Sequence, residues 1–216
     1  LVRLEDGEET VKYKVLTVSR EFGSGGGRIA GIVAQKLGWK LLDGALIDAI
    51  AAASHVDPKV VSSYDEHVEG WLRRMNRQAM RGAALAAGVI PNTGTTFDPD
   101  VAAELSRQII NQAYADGGCV IVGRGSQCIL QDKCDVYHVF VYAPFKERVR
   151  RLRTRLEPGA KIEQRIHTVD GERALYLRQR FGKEWNDLHL YDLMISSCEN
   201  EDRTAAVILA AMNGDC

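Results

Sequence analysis

The 216-residue chain has no apolar run of about 20 residues, the length a membrane-crossing helix needs, so the expectation is a cytoplasmic protein without a secretory leader. Its five cysteines, Cys119, Cys128, Cys134, Cys198 and Cys216, are odd in number and lack the paired close spacings of a zinc site. Free thiols in reducing surroundings follow from that pattern. Charge of one sign is also missing: 28 Lys+Arg stand against 29 Asp+Glu, a formal net charge of -1. A nucleic-acid or membrane partner is therefore not expected. The five histidines make no H-E-x-x-H or other close metal pattern, so no metal ligands are assigned, and no serine sits in G-x-S-x-G, which ranks hydrolase chemistry low. What is present, 45% hydrophobic residues, is enough for the full core of one domain.

The apolar pattern predicts five strands. Val15–Ser19 reads as a buried strand, followed by a helix from Ile29 to Leu37 that stops at Gly38. Trp39–Leu42 makes a short second strand before a helix over Ala45–Ala53. Residues 57–114 hold three helical stretches and no convincing strand. Gly117-Gly118 then releases the nearly all-apolar strand Cys119–Val122, and Tyr137–Tyr142 follows, closed by Pro144. A basic helix begins at Lys146, Glu157–Ala160 reads as a turn, Leu193–Ser196 is the last strand, and Thr204–Met212 the last helix. Strands alternating with helices in this way predict an α/β fold with a doubly wound five-stranded parallel sheet.

The first strand runs into Arg20-Glu21-Phe22-Gly23-Ser24-Gly25-Gly26-Gly27-Arg28. Glycine lets a strand-to-helix turn point its N–H groups inward, and the helix start adds unpaired N–H groups and a positive dipole end. The expected guest is a phosphate. Lysine is absent, however: Gly26 stands where G-x-x-x-x-G-K-[ST] requires it, and Arg28 breaks G-x-G-x-x-G.

Ligands of an open parallel sheet bind beyond the carboxyl ends of the strands, and Arg20–Arg28, Asp43, Gly123-Arg124-Gly125 and the residues after Pro144 fall there. Arginine suits phosphate through its planar, permanently charged fork. Arg124 reads either as a phosphate ligand or as a helix-capping or sheet-edge ion pair, and Asp43 as a substrate ligand, a helix cap, or both. The run Arg148–Arg155, with Asp170, Arg173, Arg178 and Arg180, reads as arginines that close over a transferring phosphoryl group or as a solvated basic face. His138 is assigned a structural place. Trp39, Trp71 and Trp185 are assigned to packing.

Ser19–Gly26, Leu42-Asp43, Val120–Gly125, Phe140–Pro144, Phe181–Trp185 and Tyr191-Asp192-Leu193 together resemble the cytidylate kinase-like family, a branch of the nucleoside monophosphate kinases. The resemblance covers about residues 13–210. It implies one P-loop kinase-like domain over 1–216, with a helical acceptor-binding insertion over 55–115 and a lid over 150–182. By the same resemblance, Gly23, Ser24, Gly25, Gly26, Gly27 and Arg28 cradle ATP, which arrives with Mg2+, and Arg20 or Arg28 supplies the missing lysine's charge. Asp43 and Arg124 meet a small-molecule acceptor, and Arg173 and Arg178 cover the transfer. The implied activity is phosphoryl transfer from ATP to a nucleoside monophosphate, CMP first. The alternatives are another small acceptor, motivated by Gly125 in place of an aspartate, or a nucleotide-binding protein without turnover.

Overall fold

The computed structural model describes residues 12–44, 99–157 and 161–214, with the backbone alone for 99–102. The chain divides into two compact units, Leu1–Gly44 with Ile110–Cys216, and Ala45–Ile109. The predicted helix over Ala45–Ala53, Trp71 and most of the insertion over 55–115 lie outside the described residues.

The described elements run β1 (Val15–Arg20), α1 (Gly26–Leu37), β2 (Lys40–Leu42), α2 (Pro99–Asp116), β3 (Cys119–Val122), α3 (Ser126–Ile129), β4 (Val136–Tyr142), α4 (Phe145–Arg153), α5 (Ile162–Phe181), a 3-10 turn (Leu188–Leu190), β5 (Leu193–Ser196) and α6 (Glu201–Asn213). Every pair of neighbouring strands is parallel, in the order β2-β3-β1-β4-β5. The fold is the expected doubly wound five-stranded parallel sheet. The chain leaves β1 toward one edge and leaves β3 and β4 toward the other, so the carboxyl end of β1 is a topological switch point.

Strand alternation sorts the apolar residues between the two faces. Leu16 and Val18, Val120 and Val122, and Tyr137, Val139 and Val141 meet Ile29, Ala30, Val33 and Ala34 of α1 and Ala205, Ile208 and Met212 of α6 in one buried cluster. Trp39 packs on it. On the other face Phe140 makes edge and tilted ring contacts with Trp185 and Tyr191, which belong to a smaller cluster around Cys128, Leu177 and Leu190. His138 is buried here and its Nδ1 shares a 2.7 Å hydrogen bond with Thr17 Oγ1, while burial holds its pKa down.

The differences from the sequence reading lie at element ends. β1 reaches Arg20 because that residue still pairs with Val141 of β4, a partner in space that the local apolar pattern does not report. α6 starts at Glu201, three residues earlier than the apolar run suggests, because the Asn200 side chain accepts the Arg203 N–H and two acidic residues fill the first turn. The short helix α3 leaves no mark in the sequence pattern, since four residues carry no periodicity.

Candidate functional site

The glycine loop lies at the switch point, between β1 and α1. Gly23 and Gly25 both sit at φ +84°, a conformation L side chains rarely adopt. At Gly23 a Cβ would also stand 2.9 Å from Leu152 of α4. Gly25 is the N-cap of α1 and makes no side-chain cap hydrogen bond; at the helix start the Gly26 N–H donates to Ser24 Oγ at 3.4 Å. Gly27 has open space beside it, with nothing within 4 Å of the position a Cβ would take.

A shell of side chains holds this loop's main chain. Phe22 N–H donates to Asp170 Oδ1 at 2.8 Å, and Asp170 Oδ2 also receives Arg148 at 2.5 Å. Arg148 further pairs with Glu21 at 3.4 Å, and Glu21 accepts the Ala143 N–H at 3.0 Å. Arg151 donates to the Ser24 carbonyl at 2.8 Å and to the Ser197 carbonyl at 2.6 Å, and the Ser197 hydroxyl donates to the same Ser24 carbonyl. Arg173 donates to the Arg20 carbonyl at 2.8 Å. Thus α4, α5 and the end of β5 all grip one turn of backbone.

Beyond the loop, four charged side chains converge. Arg20 is half-buried, and desolvation first, then the nearby Arg173 and Arg124 guanidiniums, push its pKa down to about 10, with Asp43 acting in the opposite direction. That value still leaves Arg20 charged at neutral pH. Arg173 is likewise lowered, mainly by burial. Arg124 has φ +57°, between Gly123 at +80° and Gly125 at +68°, three successive left-handed residues and, among the described residues, the one non-glycine with positive φ. Strained backbone of this kind concentrates at sites that need a side chain aimed in one direction. A Cβ on Gly44 would lie 3.7 Å from Arg124 Nε, which places the Asp43-Gly44 turn beside Arg124.

Of the residues singled out in the sequence, the fold therefore brings together the loop Gly23–Gly27 with Arg20, Asp43, Arg124 and Arg173. Two others are taken up by carboxylates, and the one that holds Arg28 lies against the loop, since a Cβ on Gly25 would stand 2.7 Å from Glu201 Oε1. Arg28, where a P-loop has its hydroxyl, pairs with Glu201 at 3.0 Å, and Arg178 pairs with Glu184 at 2.7 Å on an exposed stretch. Ser24 turns its hydroxyl onto the Glu21 carbonyl at 2.9 Å. At Gly125, where the resemblance expects an aspartate, a Cβ would collide with the Phe181 ring.

Comparison with known proteins points to one family. The family model described as the cytidylate kinase-like family matches residues 15–199. The chain belongs to the cytidylate kinase-like family. A cytidylate kinase of Methanosarcina mazei is 27% identical over 145 residues, 65% of this chain and 77% of that protein. A crystal structure of an uncharacterised Eubacterium ventriosum protein superimposes with a TM-score of 0.65 at 19% identity, covering 92% of this chain and 98% of the other. A shikimate kinase of Acinetobacter baumannii in complex with shikimate gives 0.49 at 14% identity over 96% of each chain.

Within this member of the cytidylate kinase-like family, the bracing shell is what sequence reasoning misses. The sequence reads Arg148 and Arg151 as arginines that close over a phosphoryl group or as a solvated basic face, yet both hold loop backbone. Their i, i+3 spacing on α4 is a signal of one shared face, but the partners of Arg151, Ser24 and Ser197, lie 127 and 46 residues away.

Proposed function

We propose that the protein transfers the γ-phosphoryl group of ATP to a nucleoside monophosphate, with CMP the first candidate. The observation that carries the reading is the grouping of Arg124, Arg173 and Asp43 around Arg20, whose side chain crosses the glycine loop at Gly26. Three guanidiniums in a partly desolvated place repel one another, a cost that a phosphate anion offsets. The loop amides and helix start suit the donor's phosphates, and Arg124 with Asp43 suits the acceptor.

In the proposed step an anionic oxygen of the acceptor phosphate forms a bond to the γ-phosphorus. The bond from that phosphorus to the β-bridging oxygen breaks, and ADP leaves with the electron pair. The attacking oxygen is already deprotonated, so no general base is required, and positioning and charge neutralisation carry the rate. Arg173, on α5 and hydrogen-bonded to the loop at Arg20, is assigned to the charge spread over the moving group. Among the described residues no group of three carboxylate, histidine or cysteine side chains could hold a metal ion, and the hydroxyl position of the loop is Arg28, turned to Glu201. The described residues therefore build no cage of their own for Mg2+; the ion would come on the nucleotide's phosphates, and no step is drawn through it.

One observation favours a second reading, the same reaction on a different small acceptor. Phe181 lies against Gly125, leaving an aromatic ring where the resemblance places a carboxylate. The deciding experiment is ADP formation from ATP and Mg2+ with CMP, dCMP, UMP, AMP, GMP or no acceptor. Stimulation by CMP above the others supports the first reading. Stimulation by another monophosphate moves the assignment to that acceptor, and none above the blank, with ATP bound, sinks nucleoside monophosphate phosphorylation.

A further inference from the structure

Among the described residues, Arg20 differs from the other guanidiniums singled out in the sequence in how its charge is met. Arg148, Arg151, Arg28 and Arg178 each hold a carboxylate or a carbonyl. Among the described residues the Arg20 guanidinium has neither an ion pair nor a hydrogen bond, although it is half-buried and stands near two like charges, Arg173 and Arg124, with the Asp43 carboxylate the opposing charge. Three guanidiniums against the Asp43 carboxylate leave a net positive charge in a half-buried place, a cost that an entering anion offsets.

The course of the side chain shows where that anion would be. A Cβ built on Gly26, the residue at the P-loop lysine's position, would stand 2.5 Å from Arg20 Cβ, 3.1 Å from its Cγ and 3.3 Å from Val141 Cβ. A Cβ built on Gly123, at the end of β3, would collide with the Arg20 guanidinium itself. Arg20 therefore leaves the end of β1, crosses the start of α1 and lays its charged end against the neighbouring strand. It fills the place into which a lysine at residue 26 would have to grow. The loss of lysine and the two glycines have one explanation.

We propose that Arg20 is the group that grips the donor's phosphates in place of the loop lysine, delivered from the strand instead of the helix, and that Gly26 and Gly123 lack side chains because Arg20 needs their space. This rests on the reading of the loop as a donor-phosphate cradle. Arg173 also donates to the Arg20 carbonyl at 2.8 Å, which ties down the backbone from which this side chain leaves the strand.

The test reads binding, independently of turnover. A fluorescent ATP analogue is titrated into wild type, Arg20→Met, Arg20→Gly and Arg20→Gly/Gly26→Lys, with ATP and inorganic tripolyphosphate as competitors, after circular dichroism has shown each variant folded. Met keeps the stem without the charge. Glycine at 20 removes the Cβ that blocks residue 26. Loss of a charge-assisted contact to phosphate predicts ATP binding weaker by about tenfold to hundredfold in Arg20→Met, with tripolyphosphate competition lost in parallel. Arg20→Gly/Gly26→Lys should regain at least about tenfold over Arg20→Gly, a rescue that a purely structural arginine would not give. Wild-type ATP affinity in Arg20→Met overturns the proposal, as does a loss confined to the acceptor or no rescue by lysine. Failure of the kinase reading looks different: ATP binds and depends on Arg20, yet no acceptor yields ADP.

Discussion

Arg124 is the residue whose loss should separate the two substrates. Its backbone is left-handed at the end of β3, and its side chain lies beside the Asp43-Gly44 turn. Arg124→Ala should raise KM for the acceptor at least about tenfold, the value of one charge-assisted contact to phosphate, while KM for ATP stays within about threefold. Initial-rate kinetics varying each substrate in turn would check this, and equal loss on both would remove the assignment of Arg124 to the acceptor. The glycines on either side are explained by neighbours far along the chain, Arg20 at Gly123 and Phe181 at Gly125. A reader of the sequence sees Gly-Arg-Gly and infers an anion site; which atoms forbid a side chain there depends on residues about 100 and 56 positions away, where no local pattern reaches.

At the scale of elements, α4 and α5 support the loop. Asp170 is the joint: it accepts the Phe22 N–H and pairs with Arg148, and the two side chains are only 17% and 9% exposed. Asp170→Ala leaves a buried guanidinium short of its main partner and should cost about 3 kcal/mol of folding stability, measured by urea unfolding. A loss below about 1 kcal/mol would mean that the loop holds its shape without α5. α4 also carries the clearest pH signal. Hydrogen bonds from Arg150 and then Arg151 hold the Glu147 carboxyl at about 2, below its ordinary 4.5. The folded protein therefore gives up this proton more readily than the unfolded chain. The contribution is complete above pH about 4.5 and is lost as pH falls toward about 2. Glu147→Gln should flatten the acid limb of a stability-against-pH curve in that window and leave the neutral region's slope unchanged. The bracing role of these helices was not legible, because a basic helix that closes over a ligand and one that grips a loop share one composition.

For the whole molecule, the thiols give a test of the packing. Burial raises Cys119 to about 12 and Cys128 to about 11, whereas Cys134 and Cys198 are exposed. Brief iodoacetamide treatment near pH 8, read by peptide mass spectrometry, should label Cys134 and Cys198 and reach Cys119 and Cys128 only after denaturant is added. Early labelling of Cys119 would contradict a closed core between α2 and the sheet. Among the described residues no helix is long and apolar enough to cross a membrane.

The sequence by itself determined what neighbours in the chain can enforce. Apolar runs, glycine stops and the strand–glycine–helix junction placed five parallel strands and the family's loop, because side-chain period and backbone freedom act over a few residues. Only the tertiary structure decided which arginine serves which purpose. Guanidiniums are chemically alike, and their roles follow from partners brought together across the fold, as Ser24 and Ser197 are across 173 residues. The same folding that commits Arg148 and Arg151 to backbone carbonyls and carboxylates leaves Arg20, with Arg124 and Arg173 beside it, at the one place where the strand ends converge.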